Sequence, residues 1–131
     1  VAALMRLFRS HLRSRRARAV ANGVTVEVIG RRDRLPASVL AEVLVGPSRS
    51  GIAAVEVVRT MIATLPIAVV PLGDEIAVAA AGLRARHPSL KLPDALVIAT
   101  AEEEGADKLL TTDRRWPSAR HLGISTKLQV M

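Results

Sequence analysis

Apolar positions run along this chain in short blocks, punctuated by Gly, Pro and charge. Leu4, Phe8 and Leu12 recur at helical spacing among Arg6, Arg9, Arg13 and Arg16, a basic amphipathic pattern that Asn22-Gly23 is suited to stop. Val24–Ile29 has strand composition, and Gly30–Arg34 reads as a polar turn. Ser38 is placed to cap a helix over Val39–Val45, which Gly46-Pro47 ends. A second helix is predicted over Ile52–Leu65, with Val55, Val58, Ile62 and Leu65 on one face and Pro66 behind it. Ile67–Leu72 reads as a buried strand, and Asp74–His87 as an Ala-rich helix stopped by Pro88. Pro93 opens a helix that runs to about Glu104, where Gly105 caps it. Asp107–Thr112 is then a strand, Arg114–Pro117 a loop and Ser125–Val130 a final edge strand. Strands alternating with helices imply right-handed crossovers and a parallel sheet, an α/β fold in a single domain over residues 1–131.

Composition sharpens this picture. Half of the 131 residues are apolar, yet Phe8 and Trp116 are the only aromatics, so the core is built from Val, Leu, Ile and Ala. Such a core suits helices on a parallel sheet better than a β-sandwich. Without Cys there are no disulfides, thiolate metal sites or Cys nucleophiles, which fits a reducing, cytoplasmic setting. No apolar run approaches the roughly 18–20 residues of a membrane span, and no signal-peptide pattern opens the chain, so no membrane partner is expected.

The net charge of +7 is unevenly spread: residues 1–34 carry nine Arg against Glu27 and Asp33, whereas residues 35–131 carry ten basic and ten acidic side chains. A basic arm on a neutral body points to a polyanionic partner, with a solvated helix face as the alternative.

Most of the acids have local explanations. Asp74 and Glu75 start a helix, where the backbone dipole favours them. Glu102, Glu103 and Glu104 form a run at a helix end and are expected to be solvated. Glu42, Asp94 and Asp113 remain. Glu42 interrupts the apolar run VLAEVLV, either on a thin polar stripe or in a site. Asp94 stands in the first turn of an apolar helix, and Asp113 lies just beyond a strand. Open α/β sheets place their ligands in a crevice at the carboxyl ends of their strands, where such acids can meet. Carboxylates gathered there repel one another until a cation neutralises them. Oxygen donors without His or Cys suit Mg²⁺ or Mn²⁺, ions that can activate water and stabilise charge on a phosphodiester. Helix capping by Asp94 and turn formation by Asp113 are the competing explanations.

The run LPDALVIATAEEEGADKLLTTDRRW resembles the C-terminal motif of PIN domains, particularly toxins of the VapC type, and LPASVLAEVLVGPSRSG resembles the family's second block. The likeness covers about residues 35–131. It implies a three-layer α/β/α fold with a central parallel sheet and a Mg²⁺- or Mn²⁺-dependent endoribonuclease, with members that dimerise and are silenced by a cognate antitoxin. Carried onto this sequence, it makes Glu42, Asp94 and Asp113 the metal-binding and catalytic acids, Thr112 a hydroxyl neighbour, and Arg114 and Arg115 contacts to RNA phosphate. One departure stands out. The family's first strand ends in an Asp, but residues 1–26 contain no Asp or Glu. That departure, and the atypical composition of the first 34 residues, fit a catalytically weakened PIN module that binds RNA or a protein without cleavage. They equally fit a shifted or decayed reading frame. A different α/β fold in which the acids are simply caps is a further alternative.

Overall fold

A computed structural model describes residues 27–29, 32–111 and 113–130. The expected N-terminal amphipathic helix and the beginning of the first strand lie outside these residues. The elements run β1 (Glu27–Ile29), β2 (Arg32–Pro36), α1 (Ala37–Ser50), α2 (Ile52–Ala63), β3 (Ile67–Val70), α3 (Asp74–Arg86), α4 (Leu92–Glu103), β4 (Lys108–Thr111), α5 (Ala119–Leu122) and β5 (Lys127–Val130). The described strands form one five-stranded sheet in the order β3-β2-β1-β4-β5. Parallel pairing holds on both sides, β2 with β3 and β4 with β5, and β5 is an edge strand as anticipated. Between these pairs β1 runs antiparallel to both neighbours, so the sheet is mixed at its centre.

Three local expectations are corrected. Arg32–Arg34 form a strand rather than a turn: β2 is bonded to β1 on one side and β3 on the other, and a backbone paired on both sides outweighs charged composition. Helix α1 runs through Gly46-Pro47 to Ser50. A proline inside a helix loses one backbone bond and crowds the preceding turn. Here Pro47 is buried, and tertiary packing holds the helix through it. Because α1 starts at Ala37, Ser38 falls inside the first turn instead of capping it, and its buried Oγ has no hydrogen-bond partner.

Gly51, at φ 111°, makes the corner between α1 and α2, a conformation that side chains rarely adopt. Helix α1 packs on α2, and α3 on α4. Helix α4 buries Ala95, Val97, Ile98, Ala99, Thr100 and Ala101, a nearly continuous run, so it sits in the core rather than on it. Leu35, Val39 and Leu109 of the neighbouring elements are fully buried in the same core. Among the described residues Trp116 is the aromatic side chain that packs against this aliphatic core.

Glu102 is also corrected. It is not solvated but ties the end of α4 to the approach of β5, accepting from the Thr126 N–H at 2.7 Å and the Ser125 N–H at 3.2 Å. Burial pulls its carboxyl up, but these hydrogen bonds outweigh it and the group titrates below its usual value. Glu104 reaches Arg34 of β2 at 3.6 Å.

Candidate functional site

Each of the three acids is carried by a different stretch of the fold. Glu42 stands on the second turn of α1, Asp94 in the first turn of α4 just after Pro93, and Asp113 beyond the end of β4. Asp94 is half-buried, and its neighbourhood works against its charge. Burial pushes its carboxyl up, and the nearby Asp113 charge pushes it further; Lys91, Trp116 and Arg115 pull the other way without prevailing. Glu42 is exposed at its surface yet also pushed up, by desolvation first and then by Asp94. The three acids are therefore linked in series, Glu42 to Asp94 and Asp94 to Asp113, although they are far apart in sequence.

Asp113 behaves differently. Its Oδ1 accepts from the Arg115 N–H and from Arg115 Nε, both at 2.9 Å, and its Oδ2 accepts from Arg115 Nη2 at 2.7 Å. Hydrogen bonds to the ionised form favour it. Those from the Arg115 side chain, then from its backbone, hold the Asp113 carboxyl down at about 2.

The loop that presents Asp113 is fixed from below. The Asp113 N–H donates to the hydroxyl of Thr111 at 3.0 Å, and Thr111 is fully buried. Thr112 lies outside the described residues. Thr111 is the residue that sequence reasoning passed over. A Thr two residues ahead of an Asp is the spacing of a side-chain-to-backbone turn, which is the signal that points to it. Arg114 is exposed. The indole Nε1 of Trp116 is buried without a partner at hydrogen-bonding geometry, yet it faces Asp94 closely enough to favour the ionised carboxylate.

Among the described residues no three His, Cys, Asp or Glu side chains converge closely enough to hold a metal ion. The chemistry of the donor set nevertheless fits a hard divalent cation. Its members are all carboxylates, and two are pushed up, by burial first and then by a charge of their own sign. Asp113 has both oxygens turned to Arg115 instead. A hollow of about 400 Å³ lies elsewhere, between α3, the end of α4 and residues 122–124, and none of the three acids lines it.

The PIN domain family profile matches residues 2–122. The chain belongs to the PIN-domain family. The match extends through the basic N-terminal segment as well as both acidic blocks. No curated protein and no solved structure matches the chain. PIN domains are typically nucleases and generally use divalent metal ions, so the family suggests a nuclease-type function in general. Among the described residues no helix is long and apolar enough to cross a membrane.

Proposed function

We propose that this PIN domain is a Mg²⁺- or Mn²⁺-dependent endoribonuclease and the toxin of a toxin–antitoxin pair, a cytoplasmic homodimer held silent by a cognate antitoxin. The observation that carries the nuclease reading is the carboxylate row in a PIN domain, where burial first and then like charge push up Glu42, through Asp94, and Asp94, through Asp113, a state that a cation would relieve. The toxin reading rests on the likeness of the blocks around Glu42 and Asp94 to toxins of the VapC type. The family likeness assigns Glu42, Asp94 and Asp113 to the ion, although they do not converge on one point in this structure. When bound, such an ion supplies Lewis acidity at phosphoryl oxygen and makes water a competent nucleophile near neutral pH. Asp94 is assigned the central place, because Asp113 acts on it and it acts in turn on Glu42. Thr112, Arg114 and Arg115 are assigned to the RNA backbone, where guanidinium groups pair with phosphate oxygens. Buried Thr111 fixes the loop that carries Asp113.

Incubation of the purified domain with RNA and Mn²⁺ tests this. Cleavage should stop on addition of EDTA and should be lost in Asp94→Asn while the fold is kept. Cleavage that persists in EDTA, or in Asp94→Asn, would overturn the assignment.

A second reading is favoured by one specific contact. With both oxygens of Asp113 held by Arg115, and with no acid in residues 1–26, the domain would bind RNA or a protein without cutting. Retained RNA binding with no hydrolysis at any Mn²⁺ concentration would decide for it.

A further inference from the structure

We infer that two chain segments beside the acids form a cationic border for RNA phosphates, ending at the paired rings of His87 and His121. This rests on the RNA reading of the domain for its ligand and takes nothing from a bound metal. The segments are 84–94 and 113–121. Each carries an acid at one end, Asp94 or Asp113, and a histidine towards the other. At the acid end, Lys91 is near enough to favour the ionised form of both carboxyls. At the far end, the rings of His87 and His121 stand 5.1 Å apart, tilted by 55°. Between those two places the segments carry Lys91, Arg114, Arg115 and Arg120, and not one Asp or Glu.

The backbone under both rings is fixed. His87 closes α3, where its N–H donates to the Leu83 carbonyl at 2.9 Å and its own carbonyl accepts from the Leu90 N–H at 2.9 Å. Arg84 Nη1 donates to the Pro88 carbonyl at 2.7 Å and ties the same turn. Across from it, the Ser118 hydroxyl accepts from the His121 N–H at 3.2 Å. Leu83, Leu90 and Leu122 are buried and root both sides in the core. His121 and Arg120 are exposed, and His87 is half-buried. An imidazole offers at least one N–H donor in either tautomer, and two rings this close can reach one phosphate group. Cations strung along two segments match a ligand whose charge repeats along a chain, which favours a nucleic-acid backbone over an acidic protein patch. Arg86 stands apart from the border. Its Nη1 lies 3.2 Å from where a Cβ on Gly82 would stand, so it leans back along α3 and lines the hollow.

The test is binding of a labelled single-stranded oligoribonucleotide to the intact chain in EDTA, followed by fluorescence anisotropy across a salt series. Arg120→Gln should weaken binding severalfold and lower the logarithmic salt slope by about 0.7, the loss of one phosphate contact to a single strand. Arg86→Gln is the control, because it removes the same charge from the neighbouring helix outside the border, and its slope should match the wild type. The double variant His87→Gln, His121→Gln should also bind severalfold more weakly. In the wild type, the imidazole proton signals of His87 and His121 should move together as RNA is added, a readout that binding to the N-terminal segment alone would leave still. Equal effects of Arg120→Gln and Arg86→Gln, or imidazole signals that stay in place, would overturn the border. Displacement of the RNA by polyglutamate at the same concentration of charge would overturn RNA as its ligand. RNA binding at the border with no cleavage in Mn²⁺ would leave the border standing and overturn the nuclease reading alone. No RNA binding by the wild type would overturn both.

Discussion

Asp94 and Asp113 sit beside one another and titrate in opposite directions, and that contrast yields separate consequences for stability. The Asp94 carboxyl titrates above its usual value, so the folded chain holds this proton more tightly than the unfolded chain does. Metal-free stability from this group is then greatest below the unfolded value of about 3.9 and falls as pH rises through the raised folded value. Asp94→Asn should therefore melt at a higher temperature than the wild type in EDTA at neutral pH, and the gap should close near pH 4. Thermal melts at the two pH values check this, and a lower melting temperature for the variant at neutral pH would contradict it. Asp113, held down at about 2, works the other way: its contribution is present above about 3.9 and disappears as pH falls through about 2. Arg115→Ala should flatten the acid limb of the stability curve between those values. These local features are only partly legible in sequence. Asp94 is visible there because Pro93 and an apolar run mark a helix start. The engagement of Asp113 by Arg115 is not, since two consecutive exposed Arg give no sign of which one turns back.

At the level of elements, Glu102 shows what a linear reading misses. Its partners Ser125 and Thr126 lie 23 and 24 residues away, and nothing in a run of three Glu distinguishes the one that turns inward. Glu102→Ala strips the acceptor from the N–H of Thr126, a buried residue, and should cost about 1–3 kcal/mol in urea denaturation. Leu109→Ala, at the fully buried centre of β4, should cost about 2–5 kcal/mol by leaving a cavity. The helix α4, its Gly105 corner and β4 can be read in advance because the turn signal separates two clear hydrophobic periods. The length of α1 cannot, because burial of Pro47 is decided by the rest of the fold. The four-residue helix α5 is too short to leave a period, although Ser118 caps it through the His121 N–H at 3.2 Å.

For the whole molecule, the excess charge lies in the first quarter and the paired acids lie in the rest. Affinity for RNA driven by the arm should weaken steeply with salt, by about 0.7 in logarithmic slope for each phosphate contact to a single strand. Replacing the six Arg of residues 1–26 by Gln should reduce that slope by up to about 4, measured by fluorescence anisotropy across a salt series. An unchanged slope would show that the arm does not face the nucleic acid. The sheet carries a subtler consequence. Helix α1, bearing Glu42, leaves directly from β2, while Asp113 follows β4, and between those strands stands only β1. Among the described residues the ladder from β1 to β4 pairs Glu27 with Leu109 and Val28 with Lys108. That seam joins the two halves of the acid row, so slow amide exchange along it would mark a preassembled centre and fast exchange one that breathes.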